Sequence, residues 1–164
     1  MGDSKNYEMR SIRPEDNAQV AQLIRTVMTE FGAVGPGYSI EDPEVDRMAD
    51  VYTLPKRAFF VVVDGDRILG CGGVGPLVGA DETICELKKM YFYPELRGLG
   101  YGKMMVEACL KTAKAFAYKT MYLETVARME KANLLYQKMG FKKLDHFMGS
   151  TGHSACDLAY ARSL

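Results

Sequence analysis

The sequence has no excess of either charge: 21 lysines and arginines stand against 21 aspartates and glutamates, for a formal net charge of zero. That balance speaks against a dedicated nucleic-acid binder, whose footprint is a basic excess or stripe. The basic pairs Lys88-Lys89 and Lys142-Lys143 are local features, read as solvated faces or phosphate contacts. Metal-site spacing is also missing. Cys71, Cys85, Cys109 and Cys156 are scattered, with no C-x-x-C pair and no histidine at zinc-site spacing, so no metal is expected. Such cysteines fit reduced thiols of a cytoplasmic protein better than a disulfide framework. No apolar run approaches the ~20 residues of a membrane helix. The polar start, Met1 to Arg13, lacks the apolar core of a signal peptide. A cytoplasmic protein without membrane association is expected. No internal repeat or linker interrupts the chain, so residues 1–164 are expected to form one domain, long enough for a real core.

What the chain does have is a regular alternation of strand and helix patterns. Tyr7 to Arg13 alternates as a strand. Pro14-Glu15-Asp16 opens a helix with Asp16 as its cap, and Val20, Leu23, Ile24, Val27, Met28 and Phe31 recur on one face of it. Gly32 to Tyr38, with three glycines and a proline, is a loop. A short polar helix over Pro43 to Ala49 has few apolar residues and is expected at the surface, over a cleft. Arg57 to Val63 and Ile68 to Val78 form a hairpin about Asp64-Gly65-Asp66, and the glycines at 70, 72, 73 and 75 indicate a bulge or close backbone approach. Cys85 to Tyr93 is a further strand. A helix to about Phe116 follows, with an apolar stripe of Met104, Met105, Ala108, Cys109, Thr112 and Ala113. Lys119 to Val126 is a strand, and Glu130 to Met139 a helix ended by Gly140. Phe141 to Phe147 and Ala155 to Tyr160 are read as two last strands joined across Gly149 to His153. The order β-α-α-β-β-β-α-β-α-β-β predicts an α/β (α+β) fold. Its central sheet is mixed and largely antiparallel, flanked by helices, with parallel pairing where a helix crosses over.

The run Arg97-Gly98-Leu99-Gly100-Tyr101-Gly102 lies between a strand and a long helix. Backbone N–H groups at such a turn lack helical partners and carry the positive end of the helix dipole, so they suit a pyrophosphate. Three phosphate motifs compete. A dinucleotide fingerprint, G-x-G-x-x-G, fits Gly98 and Gly100 but meets Lys103 at its third glycine. A P-loop fits Gly102-Lys103 but has Arg97 at its first glycine and Met104 in place of the magnesium-binding hydroxyl. The pattern [R/Q]-x-x-G-x-[G/A] fits in full with Arg97, Gly100 and Gly102.

With the flanking segment from Glu86 to Pro94 and the A-x-x-x-Y-x-x-x-G-F arrangement from Ala132 to Phe141, the chain resembles the GCN5-related N-acetyltransferase (GNAT) superfamily. The resemblance covers nearly the whole chain. It implies acetyl-CoA as co-substrate, with no metal. It also implies that the strand before the loop splays from the next one and offers its backbone near Met90, Tyr91 and Phe92 to the pantetheine arm. The amides from Arg97 through Gly98, Leu99, Gly100 and Tyr101 to Gly102 would hold the pyrophosphate, with help from Lys103. Tyr136 is implied as the general acid for the departing thiolate. Asn133, one turn earlier, reaches the pantetheine side. Arg128 stands where the family often carries an asparagine. For the base that deprotonates the acceptor, Glu86 comes first and Glu124 second; both also fit salt bridges.

His153 is either a substrate contact or base near the cleft mouth or a residue that ends a hairpin, the commoner circumstance. Cys156 is read as a packed residue. The expected acceptor is a small-molecule amine such as an amino acid or a polyamine-like amine, ahead of a protein lysine or N-terminus, with Glu30 to Val51 shaping its pocket and Glu41, Asp42, Glu44 and Asp46 attracting a cation. The expected reaction is direct attack in a ternary complex. The alternative is a non-catalytic acyl-CoA-binding sensor or interaction module. Exposed strand edges near the C-terminus allow a homodimer.

Overall fold

Residue 5 and residues 7–164 are described by the computed structural model. The reading of the first residues as a polar start falls in part on residues 1–4 and 6, outside the described residues. The strands are β1 (Glu8–Ser11), β2 (Ala58–Asp64), β3 (Arg67–Pro76), β4 (Ile84–Phe92), β5 (Thr120–Thr125), β6 (Lys142–Lys143) and β7 (Leu158–Ser163). They form one sheet in the order β1-β2-β3-β4-β5-β7-β6. Every pairing is antiparallel except that of β4 with β5. That parallel pair is joined by α3 (Tyr101–Ala115), as a crossover requires. The other helices are α1 (Asn17–Glu30), α2 (Met48–Tyr52) and α4 (Glu130–Lys138).

Helices cover both faces of the sheet, so there are two cores. On one face, Met105, Val106, Cys109 and Leu110 of α3 and Tyr136 of α4 pack on Leu69, Leu87 and Met121. On the other, Val20, Leu23, Ile24 and Val27 of α1 pack on Phe59, Val61 and Cys71. This is the apolar face of α1 that its periodicity predicts. In α3 the buried stripe is rotated from the predicted one: Val106 and Leu110 are inside, while Met104 is exposed.

Several local expectations are corrected. Asp16 does not cap α1. Its carboxylate accepts the Arg13 N–H at 2.7 Å and the Arg10 guanidinium at 2.7 Å, bracing the 3-10 turn Pro14–Asp16. The polar segment after residue 42 is a 3-10 turn (Pro43–Arg47) running into α2; it lies at the surface with Asp46, Arg47 and Asp50 exposed, yet Val45, Met48, Ala49 and Tyr52 are all buried. Its apolar residues are few but share one side. The last hairpin is largely absent. β6 has two residues, and most of 144–157 returns as an irregular segment before β7.

Two features of β4 position the site. First, it pairs with β5 only at Ile84↔Thr120, Cys85↔Met121 and Glu86↔Tyr122, after which the strands part. Second, its register against β3 shifts between Cys71 and Gly73, opposite Lys89, whose φ is 54°. This bulge restarts the in-and-out alternation. Leu87 faces the α3 core, and so do Met90 and Phe92, while Tyr91 faces the α1 core. The adjacent Lys88 and Lys89 therefore both reach Glu44, at 3.4 Å each.

Candidate active site

Where β4 and β5 separate, a cleft opens, lined by Glu86 and Met90 of β4, Glu124 of β5 and Tyr136 of α4. At one end of α3 lies the glycine-rich turn. Among the described residues, no backbone N–H from Gly98 to Lys103 donates to a backbone carbonyl; the first to do so is Met104, to Gly100 at 3.1 Å. Six consecutive amides are thus free at the positive end of a fifteen-residue helix. Gly98 and Gly100 have φ of 76° and 87°, a conformation that disfavours side chains even though nothing would collide with a Cβ there. Gly102 is small for another reason: a Cβ would lie 3.0 Å from Leu135, where α3 meets α4. A chain of free amides without side chains in the way suits a pyrophosphate, so the turn fits the diphosphate of a CoA thioester.

Glu86 and Tyr136 both border the cleft. Glu86 is 4% exposed and accepts no hydrogen bond among the described residues, with Lys88 Nζ at 3.8 Å. Burial pushes its carboxyl up to about 7, against the opposing pull of Lys88 and His153. Tyr136 packs edge-on against Phe141, with ring centroids 6.0 Å apart. Burial raises its phenol, so it holds its proton firmly.

Between these groups and the 39–44 segment runs a network of buried charges that the sequence reading missed. His153 Nε2 lies 2.9 Å from Asp42, and its Nδ1 lies 3.5 Å from Glu124. Burial pushes the imidazole down, but its bonds to Asp42 and Glu124 prevail and lift it to about 9. Asp42 also takes the Lys89 ammonium at 2.5 Å, and that lysine side chain is 1% exposed. Burial pushes Asp42 up, yet His153 and Lys89 hold it below the usual carboxylate range. Glu124 accepts from Tyr122 at 2.9 Å and from Thr151, and with His153 these outweigh burial and lower it too. His153 is therefore no mere hairpin end. Potential ligand atoms of Glu86, Glu124 and His153 lie within 4.8 Å of one another, a grouping that cysteine and histidine spacing could not reveal.

Most of the other predicted residues are engaged elsewhere. Phe92 packs over Gly70, where a Cβ would be 2.4 Å from its ring, and its carbonyl accepts Arg97 Nε at 3.0 Å. The Arg97 guanidinium pairs with Glu30 at 2.9 and 2.5 Å, and its own amide bonds Pro94. Arg97 thus braces the turn. Lys103 is exposed, 3.8 Å from Glu107. Asn133 is buried and donates to the Val126 carbonyl at 3.1 Å, fixing the loop before α4 instead of lining the cleft. Tyr91 lines the cleft, but its hydroxyl meets Ser39 at 3.3 Å on the α1 side. Arg128 closes over Gly32, within 3.4 Å of its carbonyl and 3.3 Å of Tyr38 Oη. Of the four acids expected near the acceptor, Asp42 and Glu44 turn inward, while Asp46 pairs with Arg25 outside.

Comparison with known proteins agrees with this geometry. The profile of the acetyltransferase (GNAT) family matches residues 21–141. An uncharacterized N-acetyltransferase of Escherichia coli (strain K12), YjgM, is 38% identical over 157 residues, covering 95% of this chain and 94% of that one. A GNAT-family acetyltransferase of Staphylococcus aureus Mu50 superposes with a TM-score of 0.84 at 19% identity, over 96% of this chain and 99% of that one. A GNAT phosphinothricin acetyltransferase of Sinorhizobium meliloti, solved in complex with AcCoA, does so with a TM-score of 0.75 at 18% identity, over 96% and 88%. The chain belongs to the GNAT family of acetyltransferases, and it is an acyl-transferring enzyme.

Proposed function

We propose that this enzyme moves an acetyl group from acetyl-CoA to a primary amine of a small molecule, by direct attack in a ternary complex, with residues 1–164 acting as one domain. The observation that carries the proposal is a buried, unbonded carboxylate and a buried phenol on one cleft, together with six free amides where the chain leaves β4 and enters α3. The amides of 98–103 bind the pyrophosphate. The β4 edge beyond Glu86, unpaired on its β5 side, offers backbone groups to the pantetheine arm and the thioester carbonyl. The thioester supplies an activated acyl group with a thiolate leaving group.

Glu86 takes the proton of the acceptor ammonium, directly or through water. A carboxyl raised to about 7 is matched to that task near neutral pH. The freed nitrogen forms the C–N bond, and the C–S bond breaks. Tyr136 gives its proton to the departing sulfur, and the second proton lost by the nitrogen restores the phenol. Amine and thioester become amide and free thiol. Much of the acceleration comes from holding the two reactants together.

The test is thiol release from acetyl-CoA across a panel of primary amines. Turnover on small primary amines supports the proposed acceptor class; tight acetyl-CoA binding without thiol release on any of them would overturn it. Full turnover by Tyr136→Phe would remove that residue from its role.

A further inference from the structure

A second cavity meets the cleft at Glu124, His153 and Cys156, which line both. It measures about 270 Å³ and is completed by the returning segment, notably Phe147, Met148 and Thr151. At ~30 Å³ per water, that is the room of roughly nine waters, enough for a short organic body. Phe147 is 54% exposed at this cavity, a large apolar ring with no evident packing role.

Charge decides what such a body can carry. Four buried or half-buried carboxylates (Asp42, Glu44, Glu86 and Glu124) face three cations (Lys88, Lys89 and His153). With all ionised, one negative charge is left over. It falls to Glu86, which is 4% exposed and takes no hydrogen bond among the described residues. The cluster has room for one cation more. It has no room for another anion. No lysine or arginine lines the second cavity, and its one basic residue, His153, is held between Asp42 and Glu124. Lys88 and Lys89, on the cleft, are committed to Glu44, Glu86 and Asp42. A carboxylate beside the acceptor nitrogen would lie against Glu124 with no free counter-charge, a costly burial.

Resting on the transferase reading of the cleft, we propose that the acceptor is a singly charged organic ammonium with no carboxylate next to its nitrogen. Its nitrogen is seated between Glu86 and Glu124, and its short apolar body lies in the second cavity against Phe147 and Met148. Thr151 and Tyr122 aim Glu124 by donating to its carboxylate, and His153 holds it from the other side. The excluded class is the α-amino acid zwitterion.

The experiment measures kcat/KM for matched pairs: phenethylamine against phenylalanine, and isopentylamine against leucine. A lysyl peptide blocked at both ends forms a third arm. The amines are expected to exceed their amino acids by at least about tenfold, the worth of ~1.4 kcal/mol. The peptide arm locates the source of the same ammonium: a higher value there assigns it to a protein side chain, and a lower one to a small molecule. Phe147→Arg supplies the missing cation at an exposed position. It is expected to shrink the ratio severalfold, with an unchanged melting temperature as the folding control. Equal or better turnover of the amino acids overturns the proposal, and so does a ratio that Phe147→Arg leaves unmoved. Loss of turnover on chelation also overturns it, since a metal ion would then occupy the place assigned to the ammonium. Thiol release on any amine upholds the transferase reading whichever way the ratio falls.

Discussion

On the donor side of the cleft, the free amides belong to six consecutive residues, 98–103, and the groups that act are backbone. On the acceptor side the groups are side chains from four stretches of chain, and Asp42 meets His153 across 111 residues of sequence. The donor side holds its charge by dipoles, without a buried ion among its six amides. The acceptor side buries seven ionisable groups that must neutralise one another. The first arrangement is set by local conformation and tolerates varied side chains. The second depends on the whole fold being in place, and changing one partner strands another.

The sharpest way to break this division is Glu86→Gln. If the acceptor side is separable, kcat falls by about 10²–10⁴, the usual worth of a general base, while calorimetry finds acetyl-CoA affinity unchanged. A parallel loss of affinity would show that the two sides are one unit. Gly100→Ala is the reciprocal test. Its φ of 87° is strained for any residue with a Cβ, at about 1–2 kcal/mol. Weakening of acetyl-CoA binding by about tenfold is expected, with the acceptor KM unmoved.

Titration probes the acceptor side alone. The imidazole of His153 is raised from 6.5 to about 9 in the folded state. The histidinium is therefore stabilising, fully so below the unfolded value near 6.5, and its contribution is lost as pH rises through 9. Melting temperature should fall over that window in the native protein and less in His153→Asn; parallel curves would show that the ion triad adds nothing. Over the lower part of the same range, kcat/KM should rise through about 7 as Glu86 ionises.

The smallest effect is expected at the junction of the two sides. Glu30→Gln releases Arg97 from a partly exposed pair, and stability should move by no more than about 0.5 kcal/mol. Acetyl-CoA affinity should not change, because Arg97 serves the Phe92 carbonyl. Tighter binding would mean that its charge reaches the pyrophosphate.

The same contrast explains what could be read in advance. The element order, the crossover at α3 and the amide turn all follow from signals within a few residues of one another, and these were legible. That Glu86 and Tyr136 border the cleft was legible from the family resemblance of the segments that carry them. The partners of His153 and Lys89 were not legible, because nothing near either residue in sequence announces them. Asn133 misled for the opposite reason. Its position on α4 is right for the cleft, yet the Val126 carbonyl, exposed where β5 ends, claims its amide. The hairpin predicted after Phe141 fails because pairing with β7 is confined to Lys142 and Lys143, with one further bond from the Leu144 amide to the Ala159 carbonyl, and the later Ser150 and Thr151 close on Val78 and Glu124 instead.

The extra residue in β4 limits how this enzyme can vary. Exchanging a side chain between 87 and 92 alters one contact at a time. Inserting one residue between Lys89 and Met90 would do something else. Met90 and Tyr91 would trade places between the two cores, and Phe92 would leave the face on which Gly70 makes room for it. The strand is open to substitution and closed to insertion. Insertions that retune acceptor choice are therefore confined to segments without a strand partner, foremost 144–157. Relatives of this chain should keep the spacing from Glu86 to Arg97 while the returning segment lengthens and shortens.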